Sequence, residues 1–267
     1  MSSEKNTLRN KSIELETLLR LRTPPIAVKF LEDVKFPKDT IQPSKMGIKI
    51  TVCQAMAAAR YLFRTVGMTF EDNECPSASL LFGWASLEDE DPIIEYFLSA
   101  RYVIDEKAAR ELANKIPRVE EGKYPAVVFA PLRRCTFNPD VVVIYGIPAQ
   151  IGRLVIARNF LGNGTTTSEL ISMAASCGEG VIKPFLRKDC TVTIPGAGDR
   201  VFASIDDDEI IFSMHGDWLD KIIDSLKNVG RGVGMRYPIP RFVTFKPILP
   251  PQLDRLRSKL KPVKKEN

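Results

Sequence analysis

Histidine is nearly absent. The 267-residue chain has one, His215, so metal sites built on two or three histidines are excluded, and a Ser–His–Asp triad would have to use that residue. Cysteine is sparse. The five residues are an odd number, too few for a disulfide scaffold, and none form a C-x-x-C pair, which removes zinc-ribbon and thioredoxin signatures. No Walker A pattern occurs, and no G-x-G-x-x-G lies between a strand and a helix. No run reaches the roughly 18 apolar residues of a membrane-spanning helix. The longest apolar region, Val141 to Val155, is broken by Gly146, Pro148, Gln150, Gly152 and Arg153. Met1 to Asn6 has no apolar core behind a basic cap, so no secretory leader and a cytoplasmic location are expected. Thiols there stay reduced and serve as ligands or reactive groups more often than as staples.

Charge of one sign is also in short supply. The net charge is +5, but Leu253 to Asn267 carries six basic residues against two acidic ones, which is +4 and leaves +1 for the rest. A basic tail beside a neutral body reads as a solvated extension rather than a nucleic-acid footprint. Hydrophobic residues at 44% and charged residues at 27% match an ordinary globular chain.

Periodicity supplies the elements. Ile13, Leu15, Leu18 and Leu19 have helical spacing, and Thr23-Pro24-Pro25 ends that helix. Ile26 to Leu31 reads as a strand. Cys53 to Phe63 is rich in helix formers, with Gly67 expected to close it. Asp91 to Lys115 reads as two helical pieces. Ala126–Ala130 and Val141–Tyr145 are continuous apolar runs of the kind buried on both sheet faces. Pro148 to Leu161 is a helix, Thr166 with Glu169 forms a capping-box pattern for another, Thr191–Ile194 and Glu209–Ser213 are strands, and Trp218–Leu226 is a helix. Asp206 to Glu209 reads as a solvated turn. Strands and helices alternate without a sharp linker. This predicts one α/β (or α+β) domain over residues 1–250, a mixed β-sheet flanked by helices, followed by the basic tail 251–267. A faint echo between Cys53-Gln54…Ala59-Arg60 and Ala149-Gln150…Ala157-Arg158 suggests two pseudo-repeated halves dividing near residues 120–140.

The cysteines are the sharpest chemical feature. Cys53 and Cys75 fall at predicted helix N-termini, where the helix end favours a thiolate. Cys177 precedes the flexible Gly178-Glu179-Gly180, and Cys190 lies at the mouth of a strand. Soft thiolates drawn from Cys53, Cys75, Cys177 and Cys190 would suit an iron–sulfur cluster or a thiolate-bound metal, with Asp199 and Arg200 lining the site. The bland alternative is that these are buried small apolar residues and no cofactor is present. Gly196-Ala197-Gly198-Asp199-Arg200 and Gly230 to Arg236 could cradle an anion, or be ordinary turns. His215 reads as a surface-turn residue.

Leu21 to Val28, Cys53-Gln54-Ala55, Glu74-Cys75-Pro76, Ser176-Cys177-Gly178-Glu179 and Pro195 to Arg200 together resemble a prokaryotic ArCR-type family, domain of unknown function 169. The resemblance implies no reaction. It does imply that Cys53, Cys75 and Cys177 sit in recurring blocks, and that a cysteine is often found where this chain has Gly196, with Cys190 six positions earlier. Three functions stay open. One is a redox or metal-cofactor protein using the cysteines, with a small-molecule ligand or redox partner. Another is a protein that binds a small anionic metabolite through Arg200, Arg231 and Arg236. The third is a metal-free thiol enzyme centred on Cys75. The proline-rich stretch Tyr237 to Pro251 would suit a homodimer contact; membrane and nucleic-acid partners are not expected.

Overall fold

The structure is a computed structural model that describes residues 7–162, 165–231, 237–238, 247 and 249–261. The chain opens with α1 (Leu8–Leu19), whose N-cap Thr7 hydroxyl accepts from Asn10 N at 3.3 Å. Left-handed Arg20 ends the helix. After the Pro24-Pro25 turn come β1 (Ile26–Leu31), α2 (Val52–Tyr61), β2 (Val66–Met68), α3 (Pro76–Leu81), α4 (Asp91–Ser99), α5 (Glu106–Lys115) and β3 (Ala126–Pro131). Then follow β4 (Val141–Gly146), α6 (Pro148–Phe160), a π-helix (Ala175–Ile182) running into α7 (Lys183–Arg187), β5 (Cys190–Thr193), α8 (Ala197–Ala203), β6 (Ile210–His215), α9 (Leu219–Asn228) and α10 (Pro251–Arg257).

The strands form one sheet in the order β2-β3-β1-β4-β6-β5. The α/β character expected from the sequence holds, and every pair of neighbouring strands is antiparallel. The seam is β1 against β4, with Ile26 opposite Val143 and Val28 opposite Val141. Continuous apolar strands occur in an antiparallel sheet here because both faces are covered. One core compartment takes Ile26, Val28, Phe30, Val143, Tyr145 and Ile211 against α2, α3 and the π-helix. The other takes Ala27, Val142, Ile144, Phe212 and Met214 against α1, α6 and α9. Strand alternation alone sorts the residues between them.

Each half lays down a seam strand, an edge strand, then the strand between them. The matching helices nevertheless pack on opposite faces, Met56 of α2 in the first compartment and Leu154 of α6 in the second. They are not equivalent elements of two repeated halves. Three local expectations also change. Gly67 lies inside β2 rather than closing α2, and its backbone runs beneath the Phe36 ring, where a Cβ would sit 2.4 Å from Cε1. Thr166 caps no helix; its hydroxyl and amide instead turn to Asn159 Oδ1 at 3.0 and 2.9 Å. The basic tail, expected as a solvated extension, begins with a short helix, α10.

Candidate functional site

Three of the five cysteines reach one side of the sheet by separate local routes. Thr51 and Gln54 form a capping box, Gln54 N donating to Thr51 Oγ1 at 3.1 Å and Thr51 N to Gln54 Oε1 at 2.8 Å. That fixes Cys53 at the second position of α2. The i, i+3, i+7 spacing of Cys53, Met56 and Arg60 puts these three on the helix face turned to the sheet. Cys75 is the N-cap of α3, with Pro76 as the first helical residue. Asn73 holds that turn, accepting from Cys75 N at 3.3 Å and donating to Cys75 O at 2.6 Å. Cys177 sits in the π-helix and donates its thiol to Ala174 O at 3.6 Å. All three belong to the compartment of α2, α3 and the π-helix.

Asp199 binds these pieces together. It lies in the first turn of α8 and is 3% exposed. Its Oδ1 accepts from Ser176 N at 2.8 Å, and its Oδ2 from Gly196 N at 3.1 Å and Ala175 N at 3.3 Å. The Cys53 thiol donates to Oδ1 at 3.8 Å. The buried carboxylate therefore satisfies the start of the π-helix and the start of α8 at once. The segment it pins is tightly laid. Ser172 and Ala174 have positive φ, and a Cβ on Gly196 would fall 2.0 Å from Ser172 O. A side chain at position 196 requires a different path for residues 171–175. A second buried carboxylate, Glu179, holds the other end of that segment by accepting from Ile171 N at 3.0 Å and Ser172 N at 3.3 Å.

The expectation of ionised thiols is corrected. Burial pushes the Cys53 thiol well above its usual range, and Asp199 and Cys75 push it the same way. Cys177 is raised by burial first, then by Cys53, Asp199 and Cys75. A helix end is worth about 0.3–1 kcal/mol to a thiolate. Deep burial shifts a pKa by up to about 3–5 units at about 1.4 kcal/mol each, so burial wins. Burial therefore favours the neutral thiol over the thiolate at Cys53 and Cys177.

Cys190 does not join them. It lies in the opposite compartment beside Asp189 and Arg158, its thiol pushed up to about 12 by burial and then by Asp189. The sheet stands between it and the other sulfurs. Cys135 packs against the same far compartment and donates to Phe137 O at 2.9 Å. Arg200 also turns away. Its guanidinium donates to Asp206 O at 2.6 Å and lies 3.6 Å from Asp207, so it closes the α8–β6 turn rather than pairing with Asp199. Arg231 is exposed. Arg236 and the rest of the glycine-rich stretch after it, like most of Tyr237 to Pro251, lie outside the described residues. His215 pairs with Asp217 at 3.2 Å in the turn after β6.

Sequence reasoning missed the polar groups beneath the cysteines. Arg60 is 1% exposed, and its Nη2 donates to both oxygens of Glu209, at 2.7 and 2.8 Å. Its Nε donates to Thr23 Oγ1 at 3.1 Å, and its guanidinium carbon stands 3.9 Å from the centre of the Tyr145 ring. Tyr145 donates to Ser176 Oγ at 3.2 Å, beside the Ser176 amide that Asp199 accepts from. Burial raises the Tyr145 hydroxyl, and Asp199 and Cys53 add to that. Glu209 belongs to the acidic run read as a solvated turn. Asp206, Asp207 and Asp208 are exposed as expected, but Glu209 is buried. An arginine within an alanine-rich helix was the one sequence signal of a buried ion pair. Among the described residues no group of three or more His, Cys, Asp or Glu side chains lies close enough to hold a metal ion as folded.

The profile of a family described as uncharacterised ArCR, domain of unknown function 169, matches residues 14–225. An uncharacterized protein of Methanocaldococcus jannaschii, MJ0308, is 25% identical over 228 residues, covering 84% of this chain and 95% of that relative. No solved structure matches the chain. Among the described residues no helix is long and apolar enough to cross a membrane.

Proposed function

We propose, from the premise that the chain belongs to the uncharacterised ArCR family (domain of unknown function 169), that it is a metal-cofactor protein whose soft ligands are Cys53, Cys75 and Cys177. The observation that supports this reading is that sulfurs from α2, the α3 N-cap and the π-helix pack in one core compartment, the Cys53 thiol against Asp199. In kind, three thiols and a carboxylate suit a thiolate-bound metal or an iron–sulfur cluster. In spacing, the thiols stand apart as folded, so ligation requires the sulfurs to draw inward and lose their protons. Asp199 anchors the two helix starts that would move.

The test is anaerobic purification with a visible spectrum and iron and sulfide assays. The expected result is charge-transfer absorption with bound metal, lost in Cys75→Ser and Cys177→Ser and kept in Cys190→Ser. A colourless, metal-free protein, or equal loss in Cys190→Ser, overturns the reading.

The looser spacing favours a second reading, a metal-free thiol centred on Cys75. Cys75 occupies the N-cap position of α3, its sulfur makes no capping bond and the residue is half-buried, whereas Cys177 is enclosed. Alkylation of the native protein then marks Cys75 first; uniform slow labelling of all five thiols removes this alternative.

A further inference from the structure

Helix α10 opens an apolar stripe that no described residue covers. Leu253 and Leu256 of α10, with Leu260 three residues past its end, are 47%, 56% and 68% exposed, and no residue of α10 is buried. Arg255, Arg257, Lys259 and Lys261 flank the stripe. The body carries a surface of the opposite kind. Residues 88–121 hold ten acidic side chains against five basic ones. Within that region α4 and α5 border an open groove of about 580 Å³, with Ile94 and Leu98 in its floor and Asp91, Glu95 and Glu106 on its rim. Arg110 offsets part of the rim charge by pairing with Asp91 and Glu106.

We propose that α10 of one copy of this chain docks into the α4–α5 groove of a second copy, leucines on the apolar floor and basic side chains on the acidic rim. A basic amphipathic helix meeting an apolar groove with an acidic edge is the helix-in-groove mode of recognition. The occupant is a second copy because the chain carries both halves of the match and, among the described residues, the helix is exposed and the groove unfilled. Reciprocal docking fills two grooves and gives a closed two-fold dimer. This inference is independent of the cysteine site.

The test is sedimentation equilibrium on full-length protein, wild type and variants, at low and high salt. Wild type is expected to dimerise, more weakly as salt rises. Leu256→Asp on the helix and Leu98→Asp in the groove are each expected to weaken dimerisation about thirtyfold, the loss typical of a central interface residue. Glu95→Lys costs about fivefold, and adding Arg255→Glu in the same chain restores it. The decisive step is mixing. Leu256→Asp protein keeps a sound groove and Leu98→Asp protein keeps a sound helix, so the mixture forms a heterodimer tighter than either variant alone. A wild type that stays monomeric at about 100 µM, above the micromolar range of small interfaces, overturns the proposal. So does a mixture without heterodimer, the result expected if the helix docks on its own chain, on anionic lipid or on another protein.

Discussion

Replacing Glu209 by Gln strikes a carboxylate that is 1% exposed, at little cost in volume. Arg60 is then left with its positive charge in a site where its side chain has no exposed surface and its Nη1 already lacks a hydrogen-bond partner. Breaking one side of a buried pair costs about 3–5 kcal/mol, because the remaining charge stays desolvated without its counterion. For a chain of this size about 1 kcal/mol moves the midpoint of thermal unfolding by about 2–4 °C, so the expected fall is about 6–20 °C. Urea unfolding gives the free energy directly, provided the slope is unchanged. Arg22→Ala is the matched control. Arg22 is half-exposed and pairs with exposed Asp206 and Asp208, so its loss is expected to cost far less than that of Glu209. The double variant Arg60→Met with Glu209→Leu is expected to recover much of the loss, since a packed apolar pair replaces two buried charges. The reasoning is refuted if Glu209→Gln costs no more than Arg22→Ala, or if the double variant is worse than Glu209→Gln alone.

Asp199→Asn puts an amide donor where the carboxylate accepts from backbone N–H groups; Gly196 N or Ser176 N loses its partner. A loss of about 2–3 kcal/mol in urea unfolding is expected, with faster alkylation of Cys177 as the π-helix start loosens. Gly196→Ala and Gly198→Ala are a contrasting pair in adjacent turns. The first meets Ser172 O at 2.0 Å and is expected to destabilise by more than about 2 kcal/mol; the second meets nothing within 4 Å and, lying inside α8, is expected to gain up to about 1 kcal/mol. Equal effects would remove the close-approach argument. Alkylation of Cys135 and Cys190, both pushed up to about 12 by burial, is expected to rise about tenfold per pH unit from 7 to 10 without levelling near 9. Because the folded chain keeps protons that the unfolded chain sheds above about pH 8.5, these thiols also make stability fall as pH rises beyond that point. A plateau in labelling near pH 9 would show ordinary, solvated thiols.

Most of the fold was legible in the sequence where the signal is local. Val141–Gly146 is a strand because β-branched residues fill both faces, and Ile26–Leu31 is one because Ile26, Val28 and Phe30 line a buried face. Asn159 won Thr166 from its expected helix because the partner came from the preceding helix, outside any local window. Glu209 was misread for a like reason. Its neighbours in sequence are solvated aspartates, and its partner Arg60 lies 149 positions earlier.

The sequence alone determined which residues are thiols and how the strands alternate, since those follow from covalent structure and the pleat of the extended chain. Only the tertiary structure decided that the sheet separates Cys190 from Cys53, Cys75 and Cys177, and that Asp199 faces backbone amides while Arg200 faces a turn. The direction in which Cys53 and Cys177 are shifted was also decided there. A helix end acts over one turn, but desolvation depends on every element packed around the sulfur, and that environment exists only once the chain is folded.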